Sequence, residues 1–259
     1  MESLSLGKHN PKLADIRKAI QHATLTREGL LPIEGPKLIE EALKSGLEVL
    51  TIFKRHGVAL PIVPNSIPVY DIDPTTFKTV QSTETSQGVI ALVRPRQYRL
   101  ADLVSPANPL IVVLARLQDP GNVGTILRVA EWFGANGCVA TVGTASVLNP
   151  KTIRASAGSV FRLPHVWDMD VKLIMSALKA TNIRVLGTAP SARRTIDQWD
   201  WREPTAVVIG NEGSGLSDEE IQLCDSVVRI PHQKTVESLN SAIAAAIILY
   251  EASRQRSSR

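Results

Sequence analysis

Three separated segments of the sequence combine small residues with polar side chains that could take part in chemistry. They span residues 117–128, 209–217 and 230–251. Each follows a short apolar run typical of a strand and leads into a helical pattern, and α/β proteins bind their ligands at turns of this kind. Taken singly, each also has an ordinary alternative: a surface turn, an exposed flexible loop or an alanine-rich buried helix.

The first segment carries groups suited to an anionic ligand. Gly121 and Gly124 let another group approach the backbone, and amides at the start of a helix favour anions. Arg128 can hold a phosphate through two hydrogen bonds, and Asn122 is a neutral orienting group. The glycine spacing matches neither the GxGxxG dinucleotide motif nor a phosphate loop that ends in GKS or GKT.

The second segment places a carboxylate among glycines. Glu212 lies between Gly210 and Gly213, and Gly215 follows closely, which predicts an unusual backbone path. A carboxylate in such a loop is a candidate acid or base, or a group that orients a hydroxyl.

The third segment begins as a polar loop after Ile230 and continues as one helix that Ser238 or Asn240 can cap. Alanines at positions 242, 244, 245 and 246 leave little side-chain bulk, so other backbone can approach this helix closely. Because parallel strands end at the same edge of a sheet, we expect the three segments to converge there.

Strand and helix patterns alternate along the 259 residues, which predicts an α/β protein. Proline and charge concentrate between residues 94 and 108, so we place a linker at 96–107, between domains at 1–95 and 108–259. The second domain opens with the continuous apolar run 110–114, typical of a strand buried on both faces of a mostly parallel sheet.

Composition limits the partners and the compartment. The net charge of +4 permits a nucleic-acid partner without demanding one. Cys138 and Cys224 belong to no CxxC pair or Cys/His cluster, so we expect no metal. No apolar stretch approaches the length of a membrane span, and the sequence favours a cytoplasmic protein without a membrane partner.

The three segments together resemble the motifs of the SpoU (TrmH) family, RNA 2′-O-ribose methyltransferases of the SPOUT superfamily. The resemblance covers about residues 108–255 and rests on the runs 119–124 with Arg128, 210–216, and Ile230-Pro231 followed by Ser238-Leu239-Asn240. Residues 1–95 resemble, more weakly, an L30e-like substrate-binding domain, through the run 33–42.

The resemblance implies a fold, a cofactor and partners. The second domain should contain a deep trefoil knot, with the C-terminal segment threaded through a loop. The methyl donor should be S-adenosylmethionine, bound in a backbone-rich pocket that includes Gly210, Ile230, Ser238 and Leu239. The protein should act on RNA and form a homodimer with the site near the interface.

The resemblance also implies roles in catalysis for Asn122, Arg128, Glu212 and Asn240. A free arginine is a poor base at neutral pH. We therefore interpret Arg128 as a clamp on the target phosphate and a stabiliser of the emerging alkoxide, with the other three holding the ribose, the arginine and the loops in place. The sequence departs from the family at Lys234, which stands where glycine is common, so the resemblance does not fix the shape of that loop.

Several functions stay open at this point. The N-terminal domain favours rRNA, most of all 23S rRNA, over tRNA, because the tRNA-modifying relatives usually lack it. A tRNA 2′-O-methyltransferase is the alternative within the enzyme class. A non-catalytic RNA-binding or ribosome-assembly protein is favoured only by Lys234, and the missing GxGxxG motif counts against a small-nucleotide enzyme.

Overall fold

A computed structural model describes residues 4–5, 7, 10–60, 62–233 and 238–257. The chain forms two compact units. The N-terminal unit comprises residues 1–97 and 147–161, and the C-terminal unit comprises residues 98–146 and 162–259. The segment 147–161, which the sequence places in the second domain, therefore packs as part of the N-terminal unit.

The first 97 residues form a mixed five-stranded sheet with helices. The elements are β1 (Leu4–Ser5), α1 (Pro11–His22), β2 (Leu31–Glu34), α2 (Pro36–Lys44), β3 (Val49–Arg55), β4 (Val69–Ile72), α3 (Pro74–Phe77) and β5 (Val89–Val93). The strand order is β1-β4-β3-β5-β2, in which β5 runs antiparallel to both of its neighbours. Asn10 and Asp73 cap α1 and α3 ahead of a proline at the first helical position.

The rest of the chain supplies the second sheet. Its elements are α4 (Leu100–Val104), β6 (Leu110–Leu114), α5 (Pro120–Trp132), β7 (Gly137–Thr141), α6 (Pro150–Ala155), β8 (His165–Met169), α7 (Val171–Ala180), β9 (Arg184–Thr188), β10 (Arg194–Thr195), β11 (Thr205–Ile209), α8 (Asp218–Leu223), β12 (Ser226–Arg229) and α9 (Ser241–Ser257). Of these, α6 belongs to the N-terminal unit. Helix α4 lies inside the predicted linker, and its Leu103 is buried in the core of the C-terminal unit.

The second sheet has the order β10-β12-β9-β11-β6-β7-β8, and every pair of neighbouring strands in it is parallel. All residues of β6, β7 and β11 are buried, as their continuous apolar sequences predict. The predicted parallel α/β architecture, preceded by a small α/β unit, is confirmed. The parallel order places the carboxyl ends of β6, β11 and β12 at one edge.

Helix α9 packs along α5. The alanines Ala242, Ala245 and Ala252 of α9 are buried. The trefoil knot stays a prediction from the resemblance. Residues 234–237, which connect β12 to α9, lie outside the described residues, so the path of the chain cannot be followed there. Within the described part of the chain, no helix combines the length and apolar character of a membrane span.

Candidate active site

The first of the three segments leaves β6 and enters α5 earlier than its sequence indicates. We predict a helix from about Val123, but it begins at Pro120. The carboxylate of Asp119 accepts a hydrogen bond from the Gly121 amide at 2.8 Å, and the proline tolerates the first helical position because its missing N–H would be unpaired there. Asn122 therefore lies in the first turn of α5.

Glu212 joins the first and second segments. Its carboxylate accepts hydrogen bonds from the backbone amides of Gln118 at 3.0 Å and Asp119 at 3.1 Å, and from Asn122 Nδ2 at 3.1 Å. The side chain is exposed, so these bonds fasten two loops together at the open edge of the sheet.

Asn122 and Asn240 extend this connection to the third segment. Asn240 Nδ2 donates to Asn122 Oδ1 at 3.0 Å. Asn240 Oδ1 accepts from the amides of Ala242 at 2.9 Å and Ile243 at 3.2 Å, so of the two cap candidates the structure assigns Asn240. The three segments thus meet through one chain of side chains, which we call the Glu212–Asn122–Asn240 network.

The charge of Glu212 is fixed by its partners. The loss of water around the carboxylate alone would raise its pKa, but the hydrogen bonds from Gln118, Asn122 and Asp119 outweigh this desolvation and hold the pKa of Glu212 below its usual value. The group is therefore ionised at neutral pH and only accepts hydrogen bonds. This arrangement suits an orienting role rather than proton transfer.

The second segment forms a tight loop that leaves no room for a side chain at Gly210. A Cβ at Gly210 would lie 2.5 Å from the carbonyl carbon of Gly215 and 2.6 Å from the amide nitrogen of Leu216. Asn211 and Gly215 exchange two backbone hydrogen bonds, at 3.1 and 2.9 Å. Asn211 Oδ1 also accepts from the Ser214 amide at 3.0 Å.

The predicted cofactor-binding residues lie at the same edge of the sheet. Ile230 is half-buried directly after β12, and Ser238 and Leu239 are exposed just before α9, with Leu239 at 47%. Together with the Gly210 loop they offer backbone and apolar groups, which suit a nucleoside-like ligand better than a metal. Lys234 lies outside the described residues.

Arg128 stands apart from the network. It is exposed on α5, and its side chain forms no hydrogen bond or ion pair with any other residue that the structure describes. Its guanidinium is therefore available to an external anion.

Sequence reasoning missed an ion pair beneath the loops. Arg116 Nη2 lies 2.6 Å from Glu220 Oε2, and Arg116 Nε donates to Glu220 Oε1 at 3.0 Å. The capping box of Ser217 and Glu220 is visible in the sequence and confirmed in α8. Nothing local to either residue indicates a partner so far away along the chain.

An exposed apolar stripe runs along α9 and the end of α5. On α9, Ile243, Ile247 and Tyr250 are 52%, 36% and 57% exposed, and on α5 Trp132 is 81% exposed. The rings of Phe133 and Tyr250 meet edge to face with centroids 6.0 Å apart. The helical apolar spacing of α9 thus marks an outward face, while its alanines face the core.

Comparison with known proteins connects this geometry to a family. The sequence profile of the SpoU rRNA Methylase family matches residues 109–250, and that of the MRM3-like substrate binding domain matches residues 10–91. The 23S rRNA (guanosine(2553)-2′-O)-methyltransferase RlmP of Bacillus subtilis is 33% identical over 93% of this chain and 95% of its own length.

Two further relatives extend the comparison. The 23S rRNA (uridine(2479)-2′-O)-methyltransferase of Streptomyces viridochromogenes is 37% identical over 68% of this chain and 63% of its own length. The crystal structure of the SpoU methyltransferase AviRb from the same organism, in complex with AdoMet, superposes with a TM-score of 0.84 at 29% identity, covering 96% of this chain and 99% of that one. The resemblance read from the three motifs is confirmed: the chain belongs to the SpoU rRNA methylase family and carries an MRM3-like substrate-binding domain ahead of the methylase domain.

Proposed function

We propose that this protein transfers a methyl group from S-adenosylmethionine to a ribose 2′-hydroxyl of 23S rRNA. The observation that supports it most is the Glu212–Asn122–Asn240 network, which unites the three family motifs at one edge of the parallel sheet. When bound, S-adenosylmethionine supplies a methyl group on a positively charged sulfur. The S–CH₃ bond breaks as the O2′–CH₃ bond forms, and the hydroxyl proton passes to solvent.

Arg128 supplies the positive charge in this proposal. It clamps the phosphate of the target nucleotide and stabilises negative charge that develops on O2′. Arg128 is exposed and has no side-chain partner among the described residues, so its guanidinium can offer two hydrogen bonds to a phosphate.

Asn122, Glu212 and Asn240 hold the reacting groups in line. Because Glu212 is ionised and bonded to loop amides, it fixes the first turn of α5, where Asn122 faces the third segment. Positioning of this kind can supply much of the acceleration when two reactants must align. Gly210, Ile230, Ser238 and Leu239 would hold the methyl donor.

The RNA class is proposed from the relatives and the N-terminal unit. Both curated relatives named above act on 23S rRNA, one at a guanosine and one at a uridine, so they agree on the RNA class and differ in the base. We assign RNA binding to the predicted domain at 1–95. Lys37 is exposed at the start of α2 and can contact a phosphate, whereas Lys54 is held by Asp71 at 2.6 Å.

The apolar stripe supports a homodimer. Exposed apolar residues that form a contiguous patch mark interaction surfaces, and a two-fold axis would bury the stripe against its own copy. Leu239 and Asn240 lie directly before α9, so the interface would adjoin the donor site. A cytoplasmic location, where ribosomal RNA is found, belongs to the same proposal.

Sedimentation of charged variants tests the homodimer. Ile247→Asp places a charge in the stripe and should yield single chains, while Leu173→Asp, at an exposed apolar position on α7, should keep the wild-type mass. Equal masses for the wild type and Ile247→Asp would contradict this interface.

The RNA class is tested by tritium transfer from labelled S-adenosylmethionine. We expect label in 23S rRNA from cells that lack the gene, little label in 23S rRNA already modified in wild-type cells, and none in total tRNA. Label in tRNA alone would identify a tRNA methyltransferase, and no label in any RNA would favour the non-catalytic alternative.

A further inference from the structure

Arg116 is held in a conformation that side-chain-bearing residues seldom adopt. It follows β6 directly after Ala115, and its φ of 57° lies in the left-handed region. A Cβ makes this region unfavourable, and glycine or asparagine is the usual occupant. An arginine persists there only if its surroundings compensate, so its contacts indicate what the position is for.

The contacts of Arg116 tie the second segment to the central strands. Nε and Nη2 donate to the two carboxylate oxygens of Glu220, and Nη2 also donates to the Gly215 carbonyl at 3.3 Å. The Arg116 backbone carbonyl accepts from Asn211 Nδ2 at 2.8 Å, and its amide donates to Thr141 Oγ1 at 3.1 Å. One residue therefore fastens both ends of the 211–215 loop.

Glu220, the ion-pair partner of Arg116, is buried. Its side chain is 5% exposed, against 36% for Arg116. Burial alone would raise the pKa of Glu220, but Arg116 and the Ser217 amide outweigh it and lower the pKa. Since the carboxylate also closes the capping box with Ser217, the start of α8 and the end of β6 share one anchor.

We propose that Arg116 is a positioning residue for the methyl donor, acting through Glu220 and Gly215. This inference rests on the proposed function, in which Gly210 lines the donor site. The inner side of Gly210 lies against the backbone of Gly215 and Leu216, the stretch that Arg116 holds. Releasing the anchor lets the loop adopt other conformations, and only the held conformation binds the donor.

Arg116→Gly separates positioning from stability. Glycine adopts the positive φ freely, so relief of strain offsets part of the cost of leaving the buried Glu220 carboxylate without its partner. The melting temperature should fall by no more than about 10 °C, with the protein still folded at 25 °C. The affinity for S-adenosylmethionine, measured by calorimetry without RNA, should fall about tenfold because the competent loop conformation becomes a minor one. Arg116→Lys keeps the charge but loses the two-pronged contact, and should bind with intermediate affinity.

Asn182→Gly is the matched control. Asn182 has the same φ of 57°, is exposed after α7 and lies in the same unit. The control variant also places glycine at a positive φ, where asparagine is less strained than arginine. Its affinity for the donor should equal that of the wild type. Glu220→Gln provides a second test of the pair, and its loss of affinity should not add to that of Arg116→Gly, because both remove one interaction.

The outcomes are distinguishable. Unchanged donor affinity in Arg116→Gly overturns the positioning role of Arg116 but leaves the proposed function intact. Affinity that falls in step with melting temperature across Arg116→Gly, Arg116→Lys and Glu220→Gln also overturns it, because the residue would then only stabilise the fold. A wild-type chain that does not bind S-adenosylmethionine overturns the proposed function and this inference with it.

Discussion

The two sheets of this protein arrange their polar groups differently. In the all-parallel sheet of the C-terminal unit, the loops after β6, β11 and β12 leave at one edge, and Glu212, Asn122 and Asn240 join them. In the mixed sheet of the N-terminal unit, β5 runs antiparallel to its neighbours, so loops leave in both directions. Parallel topology concentrates side chains from distant positions at one site, whereas the loops of the mixed sheet lie at both of its edges.

Individual ion pairs also differ between the units, although the N-terminal unit does hold one close pair, Lys54 with Asp71. Arg116 and Glu220, 104 positions apart, form a mostly buried pair beneath the site loops. In the N-terminal unit, Lys44 on α2 is 68% exposed and lies 3.5 Å from Glu41, a geometry that contributes little to stability. We therefore expect substitutions in the C-terminal unit to change the reaction itself, and those in the N-terminal unit to change RNA affinity.

The largest expected effect is that of Arg128→Ala. Loss of the phosphate clamp and of the charge facing O2′ should lower single-turnover methyl transfer about 10³-fold. The melting temperature should not change, because Arg128 is exposed and unpaired among the described residues. Near-wild-type transfer by Arg128→Lys would contradict the clamp, since a lysine does not make the two-pronged contact.

Glu212→Ala should have the next largest effect. Without the carboxylate, the amides of Gln118 and Asp119 and the side chain of Asn122 lose their common acceptor, and the reacting groups lose alignment. We expect about a 10²-fold loss of transfer with donor affinity largely intact, measured by single-turnover kinetics and calorimetry. An equal loss of donor affinity would make Glu212 a structural residue.

Lys37→Gln tests the N-terminal side of the comparison and should have the smallest effect. Removing one phosphate contact should raise KM for RNA a few-fold and leave kcat unchanged. The number of counterions released on binding, measured from the slope of log affinity against log salt concentration, should fall by about one. Lys44→Gln, on the same helix but beside Glu41, is the control and should do neither. An RNA affinity that does not respond to salt would remove the electrostatic role altogether.

The sequence predicts most strands of both units, because continuous apolar runs and capping residues are local signals. It misses β8, which is largely half-exposed and carries the charged Asp168 at a positive φ. It also misses β1 and β10, each of which has only two residues. None of these three segments has the continuous apolar run that predicts the other strands.

The sequence predicts which residues belong to the site, but it does not predict the hydrogen bonds between them. The motifs identify Asn122, Glu212 and Asn240, but no periodicity indicates that they bond to one another. The pairing of Arg116 with Glu220 depends on the order of strands in the sheet, and so does the positioning role proposed for Arg116. The outward face of α9 is equally invisible, since helical spacing alone does not distinguish a core from an interface.

The proposed activity is methyl transfer to a ribose oxygen at the edge of the parallel sheet. It is tested most directly by labelling 23S rRNA with tritiated S-adenosylmethionine, hydrolysing the RNA in alkali and separating the products. A 2′-O-methyl group removes the hydroxyl that attacks the neighbouring phosphate, so we expect the label in alkali-resistant dinucleotides. Label in mononucleotides would place the methyl group on a base and contradict the account.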